Sequence, residues 1–211
     1  MQLFENMIKQ FPHGYVTHSE LAILLNNTKN SRYSKVKRFL AGEKLLHIRR
    51  GLYYLTEKMG YSTKPHPFEL AQFIYGPSYI SLESALSYYK LIPETVYTIT
   101  SVTGKRSKDF KTPLGMFSYL HIPLENLYLQ VELIKEQNYT FFIAKPWKAI
   151  CDYVFCYKKD WKNINPLIDS LRIDRELLPL LSYEEYQLLM EYYHHHRLNL
   201  FLKGVFKELK D

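Results

Sequence analysis

Apolar residues recur at helical spacing through Leu3, Phe4, Met7, Ile8 and Phe11, and Pro12 with Gly14 ends the run. Tyr15 and Val16 form a short extended piece. Thr17-His18-Ser19-Glu20 then sets a hydroxyl three residues ahead of a carboxylate, the capping-box pattern, so a second helix is expected through Leu21, Ile23, Leu24 and Leu25. Asn26 and Asn27 break it, because their short amides bond local backbone, and Asn30-Ser31 can cap a third helix that runs to Ala41 and stops at Gly42. Leu45 to Ile48 and Leu52 to Leu55 flank Arg49-Arg50-Gly51, the pattern of two short strands joined by a basic turn. Three helices and a hairpin predict a winged helix-turn-helix over residues 1–58.

Glycine and prolines between Lys58 and Pro67 mark a linker over residues 59–67. Beyond it, helical patterns at Phe68–Tyr75 and Ser81–Tyr89 precede strand-like runs at Thr95–Thr103, Gly115–Ile122, Tyr128–Lys135 and Tyr139–Ala144. Short connections predict a small antiparallel sheet. Helical periodicity returns at Trp147–Phe155, Asn165–Ile173 and a long amphipathic stretch from Tyr183 to Leu209. The fold class expected is therefore α+β, with residues 68–211 forming a second, mixed domain.

Composition narrows the class. With 46% hydrophobic and 23% charged residues in a chain of 211, there is ample apolar material for a core. The first residues include an acid and lack a signal-peptide core, and no later run reaches membrane-spanning length, so a cytoplasmic protein without membrane association is expected. Cys151 and Cys156, five apart in an apolar stretch, fit neither a metal knuckle nor a disulfide framework and are read as buried thiols. Charge changes the picture more. Residues 1–58 hold ten bases and four acids, a net of +6 out of the +7 of the whole chain.

With Val36 pointing inward on a wheel of 3.6 residues per turn, Tyr33 and Leu40 share its side. Ser31, Ser34, Lys35 and Arg38 fall opposite, with Lys37 at the flank. Such a face suits a major groove, where arginine can hold guanine bidentately and serine can serve several bases. Arg38 is the expected base reader, Lys35 and Lys37 are suited to phosphate, and Arg49 and Arg50 at the hairpin turn are expected to reach the neighbouring minor groove or its phosphates. Solvation explains any one lysine; convergence of bases on the two elements a winged helix presents to DNA favours double-stranded DNA as the partner.

Constellations with a chemical look carry less. Consecutive residues of a helix point about 100° apart, so His194, His195 and His196 cannot all face one ion, and a solvated face outweighs a Glu191 and His195 ligand pair. Asp152 with Lys158 and Lys159 resembles the acid and lysine of metal-dependent nucleases, but its helical setting lacks the second carboxylate, so a helix-surface or interdomain ion pair is expected. Gly104-Lys105-Arg106-Ser107-Lys108 is a basic loop able to contact phosphates or an acidic partner. A phosphate-cradling glycine loop, a dinucleotide fingerprint and a catalytic serine motif are absent. No catalytic residue, cofactor or metal is assigned, and the chain is not expected to be an enzyme.

Three segments together resemble the AbiEi family of antitoxins from bacterial type IV toxin-antitoxin and abortive-infection systems. They are Arg49-Arg50-Gly51-Leu52-Tyr53-Tyr54-Leu55, Tyr79-Ile80-Ser81-Leu82-Glu83-Ser84-Ala85-Leu86, and Ile143-Ala144-Lys145-Pro146-Trp147-Lys148-Ala149-Ile150-Cys151-Asp152. The last is similar to the family's "ia-x-pe-KAl-x-D" run, with Trp147 where an acid is more usual. The resemblance implies a transcriptional repressor that binds inverted repeats upstream of its own operon. It also implies a C-terminal domain that counters a nucleotidyltransferase-like toxin without a stable complex. Lys148 and Asp152 match family positions and, four apart on a helix, are read as structural. The residues leave open a one-component regulator with a ligand-sensing second domain, and a nuclease or other nucleic-acid enzyme.

Overall fold

A computed structural model describes residues 11, 13–25, 28–61, 64–123, 125–136 and 138–210. The helix expected from Leu3 lies outside them, apart from Phe11, which packs on the N-terminal core. From Tyr15 the chain runs through strand β1 (Tyr15–Thr17), helices α1 (His18–Leu25) and α2 (Lys29–Ala41), and hairpin β2 (Leu45–Arg49) with β3 (Leu52–Leu55). The three strands form an antiparallel sheet in the order β1-β3-β2. The capping box forms as its spacing predicts: Thr17 N–H donates to Glu20 Oε2 (2.7 Å) and Glu20 N–H to Thr17 Oγ1 (3.2 Å).

Strand β3 is buried on both faces. Tyr53 and Leu55 pack with Val16, Leu21, Leu25, Val36 and Leu45 beneath α1 and α2. Leu52 and Tyr54, one step out of phase, join Tyr15 and Ile48 in the main core of the rest of the chain. The expected linker is largely taken up by the two units. Met59 and Tyr61 belong to the N-terminal core, because the Tyr61 hydroxyl accepts from Gly14 N–H (2.9 Å) and donates to the Phe11 carbonyl. Pro67 already opens the next helix, where its missing N–H costs nothing.

The remainder contains α3 (Pro67–Ile74), β4 (Ser78–Ile80), α4 (Leu82–Tyr88), β5 (Thr98–Thr103), β6 (Lys108–Thr112), β7 (Gly115–His121), β8 (Val131–Glu136), β9 (Tyr139–Ala144), α5 (Pro146–Cys156), α6 (Asn165–Asp169), α7 (Tyr183–Tyr193) and α8 (His196–Glu208). The sheet is six-stranded, in the order β6-β7-β5-β4-β9-β8, and mixed: β5 with β7 and β4 with β9 run parallel. The antiparallel expectation fails because β7 returns between β5 and β6, and because β4 pairs with a strand distant in the chain. Tyr119 on β7 donates to the Ala71 carbonyl of α3 (2.6 Å), while on β5 the Thr100 hydroxyl accepts from Ser84 N–H of α4 (3.0 Å). Ser101 is the register partner of Tyr119 and Thr100 is the next residue, so α3 and α4 cover opposite faces.

The stretch from Tyr183 is not one helix. His194 takes the left-handed backbone (φ 42°) and closes α7 with a hydrogen bond to the Met190 carbonyl, and the extended His195 caps α8. The three histidines therefore straddle a break rather than winding round a helix. Among the described residues, no group of three or more His, Cys, Asp or Glu side chains is placed to hold a metal ion, and no helix is long and apolar enough to cross a membrane. The expected helix from Asn165 ends at Asp169, after which the chain turns so that Ile173 N–H donates to the Leu167 carbonyl (3.0 Å).

Candidate nucleic-acid interface

Helix α2 starts two to three residues earlier than its sequence implies. The cap is Thr28, whose hydroxyl accepts from Ser31 N–H (3.4 Å), and Asn30 and Ser31 sit inside the first turn. Its far end closes by a Schellman arrangement. Glu43 takes the left-handed position (φ 53°) and donates to the Leu40 carbonyl (3.1 Å), and Lys44 donates to the Phe39 carbonyl (2.9 Å). Gly42 is thus the last half-helical residue, and the left-handed turn falls on its neighbour. The Glu43 carboxylate, paired with the Lys58 ammonium, titrates below its usual range.

The helix carries five bases (Lys29, Arg32, Lys35, Lys37, Arg38) and no acid. Ser31, Ser34, Lys37 and Arg38 are exposed, Lys35 is half-buried, and Val36, Phe39 and Leu40 pack inward. Tyr33 is 71% exposed, so it does not share the inner face as the wheel proposed. The buried stripe runs through Val36, Phe39 and Leu40. The Ser34 hydroxyl donates back to the Asn30 carbonyl (3.0 Å), which holds its side chain against the helix while leaving an acceptor outward. Among the described residues none of Lys35, Lys37 and Arg38 is paired with a carboxylate.

The two hairpin arginines part company. Arg49 is half-buried and turned onto the second unit: Nε and Nη2 donate to the Phe73 carbonyl (3.1 and 2.8 Å), and Nη1 donates to the Arg50 carbonyl (3.0 Å). It caps the C-terminal end of α3, where carbonyls lack helical partners and a cation is favoured. The structure therefore takes Arg49 out of the outward set. Arg50 is exposed at the turn, which Gly51 permits with φ 81°. The turn is fastened to the start of α1 by His18 N–H donating to the Gly51 carbonyl (2.8 Å).

A second cluster lies deep in the C-terminal unit. Lys148 and Asp152 are both fully buried, with Nζ and Oδ1 2.5 Å apart. Nζ also lies 2.8 Å from the hydroxyls of Tyr79 and Tyr193, and those hydroxyls and Ser81 Oγ all donate to the Asp152 carboxylate. The rings of Tyr192 and Tyr193 wall the ammonium, their centroids 4.6 and 4.7 Å from Nζ. Burial first, and the Asp152 charge second, hold the Tyr79 and Tyr193 hydroxyls protonated well above the usual tyrosine range. The helix-surface or interdomain ion pair expected for Asp152 is instead an interior pin joining α5, β4 and α7. The available signal was local: Lys148 and Asp152 stand among Trp147, Ala149, Ile150, Cys151 and Val154, all buried. Cys151 is buried as expected while Cys156 is half-buried; burial raises both thiols far above their usual range, and neither is in a disulfide.

The junction between the units holds a further carboxylate that sequence reasoning passed over. Glu69 on α3 is buried and accepts from Thr140 N–H (3.0 Å) and from the Tyr15 hydroxyl (3.4 Å), while the Tyr15 ring packs 4.9 Å from that of Phe73. No protein-family model matches the chain, and no curated protein matches it.

Proposed function

We propose that this chain is a DNA-binding transcriptional regulator whose N-terminal unit acts as a winged helix, with α2 as recognition helix and the β2–β3 turn as wing. The observation that carries the reading is the outer face of α2: Ser31, Ser34, Lys37 and Arg38 exposed on a helix with five bases and no acid. The strand, two helices and hairpin, ordered β1-β3-β2 in the sheet, are consistent with that unit. Arg38 reads a base, Ser31 and Ser34 offer hydroxyls to bases or phosphates, and Lys35, Lys37 and Arg50 contact phosphate. Arg49 positions the wing and does not touch DNA.

Following its resemblance to the AbiEi family, we assign the chain the role of an autoregulating cytoplasmic antitoxin without catalytic activity, metal or cofactor. The DNA half is tested by gel shifts on the DNA directly upstream of its own gene across a salt series. Affinity should fall linearly on a log–log plot, with a slope of roughly 0.9 per phosphate contacted. Arg38→Ala should lose about 1–3 kcal/mol on that DNA and far less on random duplex. Equal losses on both would remove Arg38 as a base reader, and no binding at low salt would remove the function. The antitoxin half is tested by co-expression with the product of the adjacent gene, where relief of growth arrest is expected and unrelieved arrest overturns it.

A further inference from the structure

The end of α3 gathers two basic turns. The Phe73 carbonyl holds Arg49, next to the exposed Arg50. Two residues on, the Tyr75 hydroxyl donates to the Arg106 carbonyl (3.2 Å), and the Lys105 ammonium, 5.3 Å from the Tyr75 ring centre, donates to the Gly76 carbonyl. The loop before β6 and the turn of the β2–β3 hairpin are therefore anchored to one four-residue stretch, Phe73 to Gly76. Fully extended, such a stretch spans about 14 Å at most. Strand β6 itself lies against β2.

The cations at this place divide into two sets. Arg49 and Lys105 are used in holding the turns. Arg50 and Arg106 are exposed, and among the described residues their side chains have no carboxylate partner. Lys108 lies with its ammonium 4.9 Å from the centre of the Phe110 ring, on the face of the sheet where Phe110 meets Tyr75 and Tyr119. The acid of this strand is turned away. Asp109 points to the opposite face, where Ser118 Oγ donates to it (2.7 Å). Guarding the exposed β6 edge against strand pairing would explain a lysine anywhere along it. It would not explain why Lys105 and Tyr75 fix this particular loop to the same stretch on which Arg49 holds the hairpin turn.

We propose that Arg106 and Lys108 are phosphate-contacting residues that prolong the duplex-DNA footprint from Arg50 onto the C-terminal unit. The inference rests on the DNA-binding reading above and adds a second contact region to it. Duplex DNA carries a phosphate every ~3.4 Å of axis on each strand, so turns anchored at most about 14 Å apart fall within a run of about four. The contacts are to backbone and carry no sequence preference.

The test uses the full chain, a 40-base-pair random-sequence duplex and binding isotherms over a salt series. R106A/K108A should reduce the salt slope by about 1.8, roughly 0.9 for each phosphate lost. The control K111A/K135A removes the same net charge from exposed positions on the opposite face of β6 and on the far edge strand β8, and should leave the slope unchanged. R106Q/K108Q, which keeps the aliphatic stems, should reproduce the alanine result and guards against a folding defect. If R106A/K108A and R106Q/K108Q keep the wild-type slope, or match the control, while K37A/R38A lowers it, the extension onto the C-terminal unit is overturned and the winged-helix reading stands. If the wild-type chain binds no duplex, both fall together.

Discussion

Replacing Lys148 with methionine removes the ammonium and keeps most of the stem. Asp152 is then left charged at full burial with three hydroxyl donors, from Tyr79, Ser81 and Tyr193, and no counter-ion. Breaking a buried pair from one side costs about 3–5 kcal/mol, which is two to three and a half orders of magnitude in the folding equilibrium. At roughly 2–4 °C per kcal/mol for a chain of this size, Tm should drop by about 6–20 °C. Urea unfolding followed by tryptophan fluorescence reports it directly, since Trp147 precedes Lys148 and is itself buried with its Nε1 donating to the Pro179 carbonyl (3.0 Å). D152L alone should be as costly, because it strands the ammonium. K148M/D152L removes both charges and should be less destabilised than the sum of the singles by about 2 kcal/mol or more. A K148M cost under about 1 kcal/mol, or strict additivity, would refute the view that the pair is a desolvated, mutually dependent unit.

Other outcomes follow from single contacts. Arg49→Ala should lower stability by about 1 kcal/mol through lost bonds to the Phe73 carbonyl and leave the salt slope of DNA binding unchanged, whereas Arg50→Ala should leave stability alone and lower the slope by roughly 0.9. The reverse pattern would return Arg49 to the DNA surface. His66 is half-buried and stacked on Phe141, ring centres 5.1 Å apart; desolvation depresses its folded pKa below the usual histidine range, against a weaker opposing pull from Glu136 and Glu69. Its contribution to stability is therefore full above the unfolded value of about 6.5 and is lost as pH falls through the lowered folded value. His66→Gln should flatten that part of a stability profile measured from pH 7.5 downward, and an unaltered profile would count against the assignment. A Cβ at Gly204 would lie 1.8 Å from the Lys162 carbonyl oxygen, so Gly204→Ala should cost about 1–3 kcal/mol in urea unfolding, and a neutral effect would show that the Lys162 segment yields.

What the sequence disclosed and concealed follows from the range over which each feature is encoded. The capping box at Thr17, strands β5, β7, β8 and β9 and the polar face of α2 are written in spacings of two to four residues, and they were legible. Tyr33 was misassigned because it lies three residues before Val36 and so falls on the same side of the wheel, whereas it is exposed in the fold. Strand β4 has three residues, too few for an alternation, and β6 is an edge strand whose lysines resemble a loop. The break at His194 is made by a non-glycine residue in a left-handed conformation, which carries no local mark. Arg49 lost its expected surface role because its partner lies 24 residues away in the chain, and the burial of the Lys148 and Asp152 pair was hidden because Tyr79, which meets the ammonium, lies 69 residues from Lys148.

Leu52 to Leu55 contribute alternate side chains to two apolar interiors at once. Melting either interior strips one side of that strand, so heat or urea should dismantle both halves in one step, and a fragment cut near Lys64 would carry a bare hydrophobic flank of Tyr15, Ile48, Leu52 and Tyr54. If α2 grips DNA as proposed, the mechanical counterpart is a hand without a wrist: whatever the C-terminal half presents would be held at a fixed bearing to the groove. On a pair of inverted repeats, the separation between sites would then dictate how two such bodies face one another.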